Sequence, residues 1–345
     1  MTLRGNRLRL IWFSLITVLA VFTYFFGLDS QHIPKNGDEY PYTNITRMTA
    51  ESGALLPLQS TMEHMRNTKP PMLFWQGIAS THRGQRWTLW HLRYPSVLYT
   101  LSTAWIVFLL ARRLSGQSET GFLASLTFLA FFSTYRYGRP FLTNPPEVFW
   151  LFLPFFSLLY WRPVSFCSRF VFPVLLGVAV GIGLLYKSFA LALPVGLGLT
   201  AWFWKYRDYS VGAFLARDFR KIFITMAISL AIFGLWFVFD PDPQSLWREF
   251  IVQENVGKLD ELSGSYFSHL LWGGSSIWSL ALGYPLNAGL LAFPVAALVF
   301  VAFTRRHTLS DEEKLLWMWV LVLFLGICLP RQRSSRYLLA AMPAL

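Results

Sequence analysis

Leu10-Ile11-Trp12-Phe13-Ser14-Leu15-Ile16-Thr17-Val18-Leu19-Ala20-Val21-Phe22-Thr23-Tyr24-Phe25-Phe26-Gly27-Leu28 carries no charged side chain from end to end. About 20 predominantly apolar residues are what a helix needs to cross the hydrocarbon core of a bilayer. Arg4, Arg7 and Arg9 precede the run, as before a secretory leader, but no small-residue cleavage site follows it. It therefore reads as a retained membrane helix. Beyond it lies a polar stretch from about Ser30 to Arg93, and then further apolar runs.

The whole chain has the same character. Its 345 residues are 54% hydrophobic, 18% aromatic and only 14% charged, with a mean hydropathy of +0.42. A soluble domain carries roughly 25% charged residues, so this composition excludes one and predicts an all-α polytopic membrane bundle. By length and apolarity, spans are expected near 9–28, 95–112, 119–136, 146–161, 170–187, 189–204, 220–239, 276–304 and 315–330. A tenth begins at Tyr337, and the expectation is that it continues past Leu345, with 1–345 forming one transmembrane domain. No strand-like alternation competes.

The net charge of +12 would suggest nucleic acid in a soluble protein; here it follows the rule that places Lys and Arg in cytoplasmic loops. With the N-terminus inside, Arg112, Arg113, Arg162, Arg169, Lys205, Arg207, Arg217, Arg220, Lys221, Arg305 and Arg306 all fall on the cytoplasmic side. The 29–94 loop, the 137–145 turn, the 240–275 loop and the 331–336 segment face outward. No nucleic-acid motif accompanies the charge. Cys167 and Cys328 lie at or within apolar runs and have neither metal nor disulfide spacing.

Two pieces of the first outer loop are informative: Gly37-Asp38-Glu39-Tyr40-Pro41-Tyr42 and Asn67-Thr68-Lys69-Pro70-Pro71-Met72-Leu73-Phe74-Trp75. Tyr40 to Ser52 reads as a helix capped by Asp38 or Glu39, with Pro41 in its first turn and Gly53 past its end. Tyr42, Ile45, Met48 and Thr49 share one face, suited to lying on the membrane. A second short helix is expected from Pro70 or Pro71 to about Thr81.

Asp38 and Glu39 have two readings: cap and dipole complement, or a general base at the membrane surface. Being adjacent, they cannot flank a substrate from opposite sides. Lys69, held extended by the following prolines, is either a snorkelling lysine or a point charge for phosphate. Lys187, at the outer end of a span, carries the same alternative. His64, His82, His91 and His269 make no i,i+4 ligand pair, so no metal site is assigned. Asn44-Ile45-Thr46 fits a glycosylation sequon but falls within a predicted helix. Asp240-Pro241-Asp242-Pro243 reads as a stiff turn. Trp247, Phe250, Tyr266 and Phe267 either anchor the second outer loop at the interface or lie over a cavity.

The order Asp38-Glu39, Gly53, Leu56-Pro57, Lys69-Pro70-Pro71 and Arg93-Tyr94-Pro95-Ser96 resembles the first outer loop of the GT-C type membrane glycosyltransferases. The members it resembles are the protein O-mannosyltransferases and the lipid A aminoarabinose transferases. Arg139-Pro140-Phe141-Leu142-Thr143-Asn144-Pro145-Pro146, Leu185-Tyr186-Lys187, Phe250-Ile251-Val252-Gln253-Glu254-Asn255 and Arg336-Tyr337-Leu338-Leu339 extend the likeness through nearly the whole chain.

The resemblance implies an inverting transfer of a hexosyl or pentosyl group from a polyprenyl-phosphate donor to a lipid or protein acceptor outside the cytoplasm. It implies Asp38 as base or acceptor-positioning group, with Glu39 completing that motif, and Lys69 and Arg336 on the donor phosphate. Tyr40, Tyr42, Arg139, Asn144, Glu147, Lys187, Glu254, Asn255 and Lys258 follow as substrate-binding candidates. Asn144 stands where the family commonly has an aspartate, and Lys258 where it has an arginine. Asparagine cannot act as a base; Glu147, three residues on, is the nearest replacement.

No cofactor is required by this reading, and nothing in the sequence calls for a divalent cation. A bacterial inner membrane is the expected location, with the site facing outward. The competing function is a transporter, lipid flippase or glycolipid-binding protein. A transporter would need charges at bilayer mid-depth or paired broken helices, and neither is visible.

Overall fold

The computed structural model describes residues 3–32, 36–62, 65–161, 171–257, 266–331 and 333–345, and the regular elements among them are all helical. α1 (Leu3–Phe25) leads to the first outer loop, which carries α2 (Glu39–Glu51) and α3 (Met72–Ser80). Then follow α4 (Leu89–Ser115), α5 (Ser118–Ala130), α6 (Phe132–Tyr137), α7 (Asn144–Trp161), α8 (Val171–Tyr186), α9 (Ala192–Tyr206), α10 (Val211–Arg217) and α11 (Phe219–Phe239). The second outer loop holds α12 (Pro243–Leu246), a π-helix (Trp247–Val256) and α13 (Tyr266–Trp272). α14 (Ile277–Ala281), α15 (Gly283–Ala288), α16 (Ala292–Thr304), α17 (Asp311–Cys328) and a 3-10 helix (Ser335–Ala344) complete the chain.

Local chemistry sets the helix ends. Thr88 caps α4 by accepting from the His91 amide, and Gly116 closes it in the left-handed conformation at φ 72°, where a side chain would be strained. Ser310 and Glu313 form a capping box on α17. α8 and α11 approach closely because Gly177 and Gly181 face Ile228 and Ile232; a Cβ on either glycine would lie within 2.9 Å of an isoleucine side chain. Small residues four apart are what let membrane helices touch backbone to backbone.

Leu8–Phe25, Leu89–Ser115, Phe219–Phe239 and Ile277–Thr304 are long and apolar enough to cross a membrane. The protein is an integral membrane protein. Other predicted spans are helical but shorter or broken. The 119–136 run breaks at Phe131, whose ψ of 132° leaves helical geometry between α5 and α6. The segment from Ser335 is a 3-10 helix, and of the four long spans 277–304 is itself segmented at Gly289.

Ion pairs mark two ends of the bundle. At one end, Arg9 meets Glu119 at 3.5 Å and Lys205 meets Asp311 at 2.7 Å. There too, the buried Asp218 accepts from Arg207 at 2.5 Å and Lys221 at 2.7 Å. At the opposite end lie the first outer loop, the starts of α4 and α7, the end of α8 and the 3-10 helix.

The first loop differs from expectation in one respect. Tyr42, Ile45, Thr46 and Thr49 of α2 are buried in protein rather than laid on lipid. Tyr42 packs edge-on to Phe74 at 6.1 Å, and Thr46 crowds Gly77 of α3.

Candidate active site

The site is framed by Glu39. Its carboxylate is buried and accepts from Arg93 Nε at 2.6 Å and Arg93 Nη2 at 2.7 Å, and from the Phe141 amide at 2.8 Å. Arg93 also donates to the carbonyls of Leu28 and Ser30. This one pair therefore ties together the end of α1, the start of α2, α4 and the turn before α7. Both carboxylate oxygens are occupied by these bonds, so Glu39 holds the frame while its neighbour faces the open side.

Asp38 occupies the N-cap position of α2 but makes no capping bond. Its Oδ2 instead accepts from Arg336 Nη1 at 2.5 Å, across 298 residues of chain. A carboxylate spent on capping would point at the helix amides; this one points at a guanidinium and stays 44% exposed. Burial lowers the affinity of Arg336 for its proton, but Asp38, Tyr42 and Tyr337 together raise it above the ordinary value. Beside them, burial and the Asp38 charge push the Tyr42 phenol well above its usual range, so it remains an O–H donor.

Two further pairs close the space. Lys187 Nζ donates to Glu147 Oε2 at 2.7 Å and lies 4.3 Å from the centroid of the Tyr337 ring. Lys69 Nζ pairs with Glu254 and also donates to the Thr68 carbonyl at 2.8 Å. The three pairs lie near one another: Lys187, Arg336 and Lys69 all act electrostatically on Glu147, and Asp38, Arg336 and Glu254 all act on Tyr42. Three cations thus face inward, each balanced by a carboxylate. Such cations can exchange their partners for the oxygens of a phosphate.

The family model for dolichyl-phosphate-mannose-protein mannosyltransferase matches residues 10–242. The chain belongs to this family. Undecaprenyl phosphate-alpha-4-amino-4-deoxy-L-arabinose arabinosyl transferase 1 of Sodalis glossinidius is 24% identical over 340 residues, covering 97% of this chain and 57% of that protein. The arabinosyl transferase 2 of Proteus mirabilis is 28% identical over 196 residues, covering 55% of this chain and 34% of that protein. The chain thus spans between about a third and 57% of the length of the curated relatives it matches.

In fold, ArnT from Cupriavidus metallidurans bound to undecaprenyl phosphate superposes with a TM-score of 0.72 at 19% identity, over 96% of this chain and 58% of that one. The archaeal oligosaccharyltransferase AglB from Archaeoglobus fulgidus, in complex with an inhibitory peptide and a dolichol-phosphate, gives 0.58 at 13% identity. That match covers 96% of this chain and 49% of that one.

Within this family member, the predicted residues separate into three groups. Asp38, Lys69, Arg336, Tyr42, Glu147, Lys187 and Glu254 meet in the cluster. Five others serve the frame or lie apart, and Glu39 is the first of them. Arg139 is buried and donates to the Tyr24 and Phe26 carbonyls at the end of α1, so it ties off that helix. Asn255 accepts from Ser188 at 3.0 Å and donates to the Phe250 carbonyl at 2.6 Å, which uses its amide locally. Asn144 is buried at the head of α7. Tyr40 is 70% exposed, on the side of α2 away from Tyr42. Lys258, His64 and Cys167 lie outside the described residues. Among the described residues, no group of three or more His, Cys, Asp or Glu could hold a metal ion.

The four aromatic residues of the second loop do not act together. Phe250 is buried against Trp236, 5.1 Å between centroids. Trp247 and Phe267 are exposed, and the Tyr266 hydroxyl donates to the Leu329 carbonyl at 3.0 Å.

Sequence reasoning missed the connections between the outer loops. Arg66 reaches Asp242 at 2.5 Å and Glu249 at 3.6 Å, and Asn67 donates to Glu249 at 3.0 Å. With Lys69–Glu254, these bonds clamp the first loop onto the π-helix. The one sequence signal was the Asp-Pro-Asp-Pro turn, which aims Asp242 but names no partner.

Proposed function

We propose that the protein is a glycosyltransferase that moves a sugar from a polyprenyl-phosphate donor to a lipid or protein acceptor on the non-cytoplasmic face of a bacterial inner membrane. The observation that carries this reading is the convergence of Lys69, Lys187 and Arg336 with Asp38 at one end of a bundle, in a chain of this family.

The chemistry follows from the charges. The acceptor oxygen or nitrogen attacks the anomeric carbon, and its proton passes to the Asp38 carboxylate. The bond from the anomeric carbon to the phosphate oxygen breaks, and the polyprenyl phosphate leaves with the electron pair. Negative charge grows on the phosphate as it leaves, where Lys69 and Arg336 stabilise it. Attack from the face opposite the leaving group gives inversion. Before the donor binds, Glu254 and Asp38 balance those cations, which spares the empty site an unpaired buried charge.

The test is mass spectrometry of the lipids retained by the purified protein. Wild type should carry a polyprenyl phosphate, with or without its sugar, and Lys69→Ala should be depleted of it. Glu254→Gln, which frees Lys69 for the phosphate, should be enriched. If wild type retains no such lipid and binds none when prenyl-phosphate sugars are added, the transferase reading fails and a transporter becomes the better account.

A further inference from the structure

The turn between α3 and α4 carries two arginines that the rest of the structure leaves without a counter-charge. In the first outer loop Arg47 pairs with Glu51, Arg66 with Asp242, Lys69 with Glu254 and Arg93 with Glu39. Arg83 and Arg86 are exposed and meet no carboxylate among the described residues. Two acids beside the turn are engaged elsewhere. Glu51 adjoins Ala50, against which Gly84 packs, and accepts from Arg47 at 2.8 Å. Asp29 accepts from the Trp90 amide at 3.1 Å.

The backbone under these side chains is strained. His82 and Arg83 both take the left-handed conformation, at φ 53° and 55°, and Gly84 follows at 84°. That geometry suits glycine and is unfavourable for a residue with a Cβ. It is held by hydrogen bonds: the Arg83 amide donates to the Ile78 carbonyl at 2.8 Å and the Arg86 amide to the Thr81 carbonyl at 3.0 Å. The Gly84 amide donates to Thr81 Oγ1 at 3.3 Å. The turn is therefore fixed through its main chain, while the two guanidinium groups stay free. Strain of this kind persists only where the surroundings over-determine it, and it collects at ligand clamps.

Its depth is set by its neighbours. The membrane-spanning α4 begins at Leu89, directly after the turn, and the span of α1 ends at Phe25, whose ring lies 5.7 Å from that of Trp90. Trp87 stands beside Arg86, with the Arg47 guanidinium 5.9 Å from its ring. Tryptophans gather at the headgroup level of a bilayer, so Arg83 and Arg86 lie where lipid phosphates lie. We propose that these two arginines hold the phosphate of an anionic phospholipid from the surrounding leaflet. A guanidinium can donate two parallel hydrogen bonds to phosphate oxygens. A zwitterionic lipid brings its own ammonium and leaves the two positive charges uncompensated, whereas a lipid of net negative charge neutralises them. The inference needs only the depth and the unpaired charge of the turn, and it is independent of the transferase reading.

Native mass spectrometry tests this on the full chain, delipidated in detergent and titrated with phosphatidylglycerol or with phosphatidylcholine of the same acyl chains. Phosphatidylglycerol should bind in preference. Replacing both arginines, Arg83→Gln with Arg86→Gln, should weaken its binding about thirtyfold, at about fivefold for each basic residue at a membrane surface. Phosphatidylcholine should bind wild type and variant alike. Both side chains are exposed, so the variant should keep the wild-type melting temperature. A phosphatidylglycerol with a photoreactive headgroup should crosslink to residues 82–90 in wild type and lose that crosslink in the variant. Equal affinity for the two lipids, unchanged affinity in the double variant, or crosslinks confined to other segments would overturn the inference. Displacement of phosphatidylglycerol by millimolar inorganic phosphate would make the turn a site for free anions, which also overturns it.

Discussion

Asp38 and Glu39 are adjacent and chemically alike, yet the fold gives them opposite tasks. Glu39 is enclosed, with its carboxylate filled by Arg93 and the Phe141 amide. Asp38 keeps an open face and one guanidinium. Removing one member of a buried pair strands the other charge, at a cost of about 3–5 kcal/mol. Exposed pairs contribute about 1 kcal/mol or less. Glu39→Gln should therefore lower thermal stability sharply, measured by thermal denaturation in detergent. Asp38→Asn should leave the melting temperature close to wild type and slow sugar transfer by about 10²- to 10⁴-fold, the usual contribution of a general base. If instead Asp38→Asn unfolds the protein and Glu39→Gln only slows it, the two assignments are reversed. Nothing in the order Asp-Glu distinguishes them. The partner that decides Glu39 is Arg93, 54 residues away, and local reading has no access to such a separation.

The same limit applies to whole elements. α2 and α3 were legible from a proline, a glycine and apolar spacing, because those signals act within one or two turns. The partner of α2's apolar face was not: period alone reports that a face is buried, and lipid or protein can bury it equally well. The π-helix Trp247–Val256 was not legible either, though its attachment can be tested. Hydrogen bonds from Ser245 and from Arg66 pull Asp242 down to about 2, against about 3.9 for a free aspartate. An acid with a lowered folded pKa contributes its full stabilisation above the unfolded value and loses it as the pH falls through the folded one. The clamp between the outer loops should thus hold through pH 4 and open only as the pH approaches 2. Hydrogen exchange of residues 243–256 across that range should show the transition, and Asp242→Asn should remove it. An opening centred near pH 4 in the wild type would mean that the Arg66–Asp242 contact does not form in solution.

For the whole molecule, the distribution of charge in the sequence led to an expected orientation and an expected place for the site. The fold places Arg9–Glu119, Lys205–Asp311 and the Asp218 cluster at one end. Asp38–Arg336, Lys69–Glu254 and Lys187–Glu147 lie at the other. The two ends differ in kind. At the first, basic residues are numerous and several are exposed, as expected of loops that are held back during insertion. At the second, Lys and Arg are as many but are matched by more carboxylates, and those of the cluster pair with them. If that difference reflects topology, the reaction takes place outside the cytoplasm, where the donor's sugar must already have been delivered. Cysteine labelling can decide this. With Cys167 and Cys328 replaced, Tyr40→Cys and Val211→Cys each put one thiol on an exposed position, at 70% and 56% exposure, at opposite ends of the bundle. An impermeant maleimide should label position 40 in intact cells and position 211 only after the membrane is opened. Labelling of position 211 in intact cells, with position 40 protected, would turn the protein over in the membrane and place Asp38 and its cations in the cytoplasm. A polyprenyl-phosphate sugar would then have to be consumed on the side where nucleotide sugars are made, and a nucleotide-sugar donor would become the simpler chemistry for the same three cations.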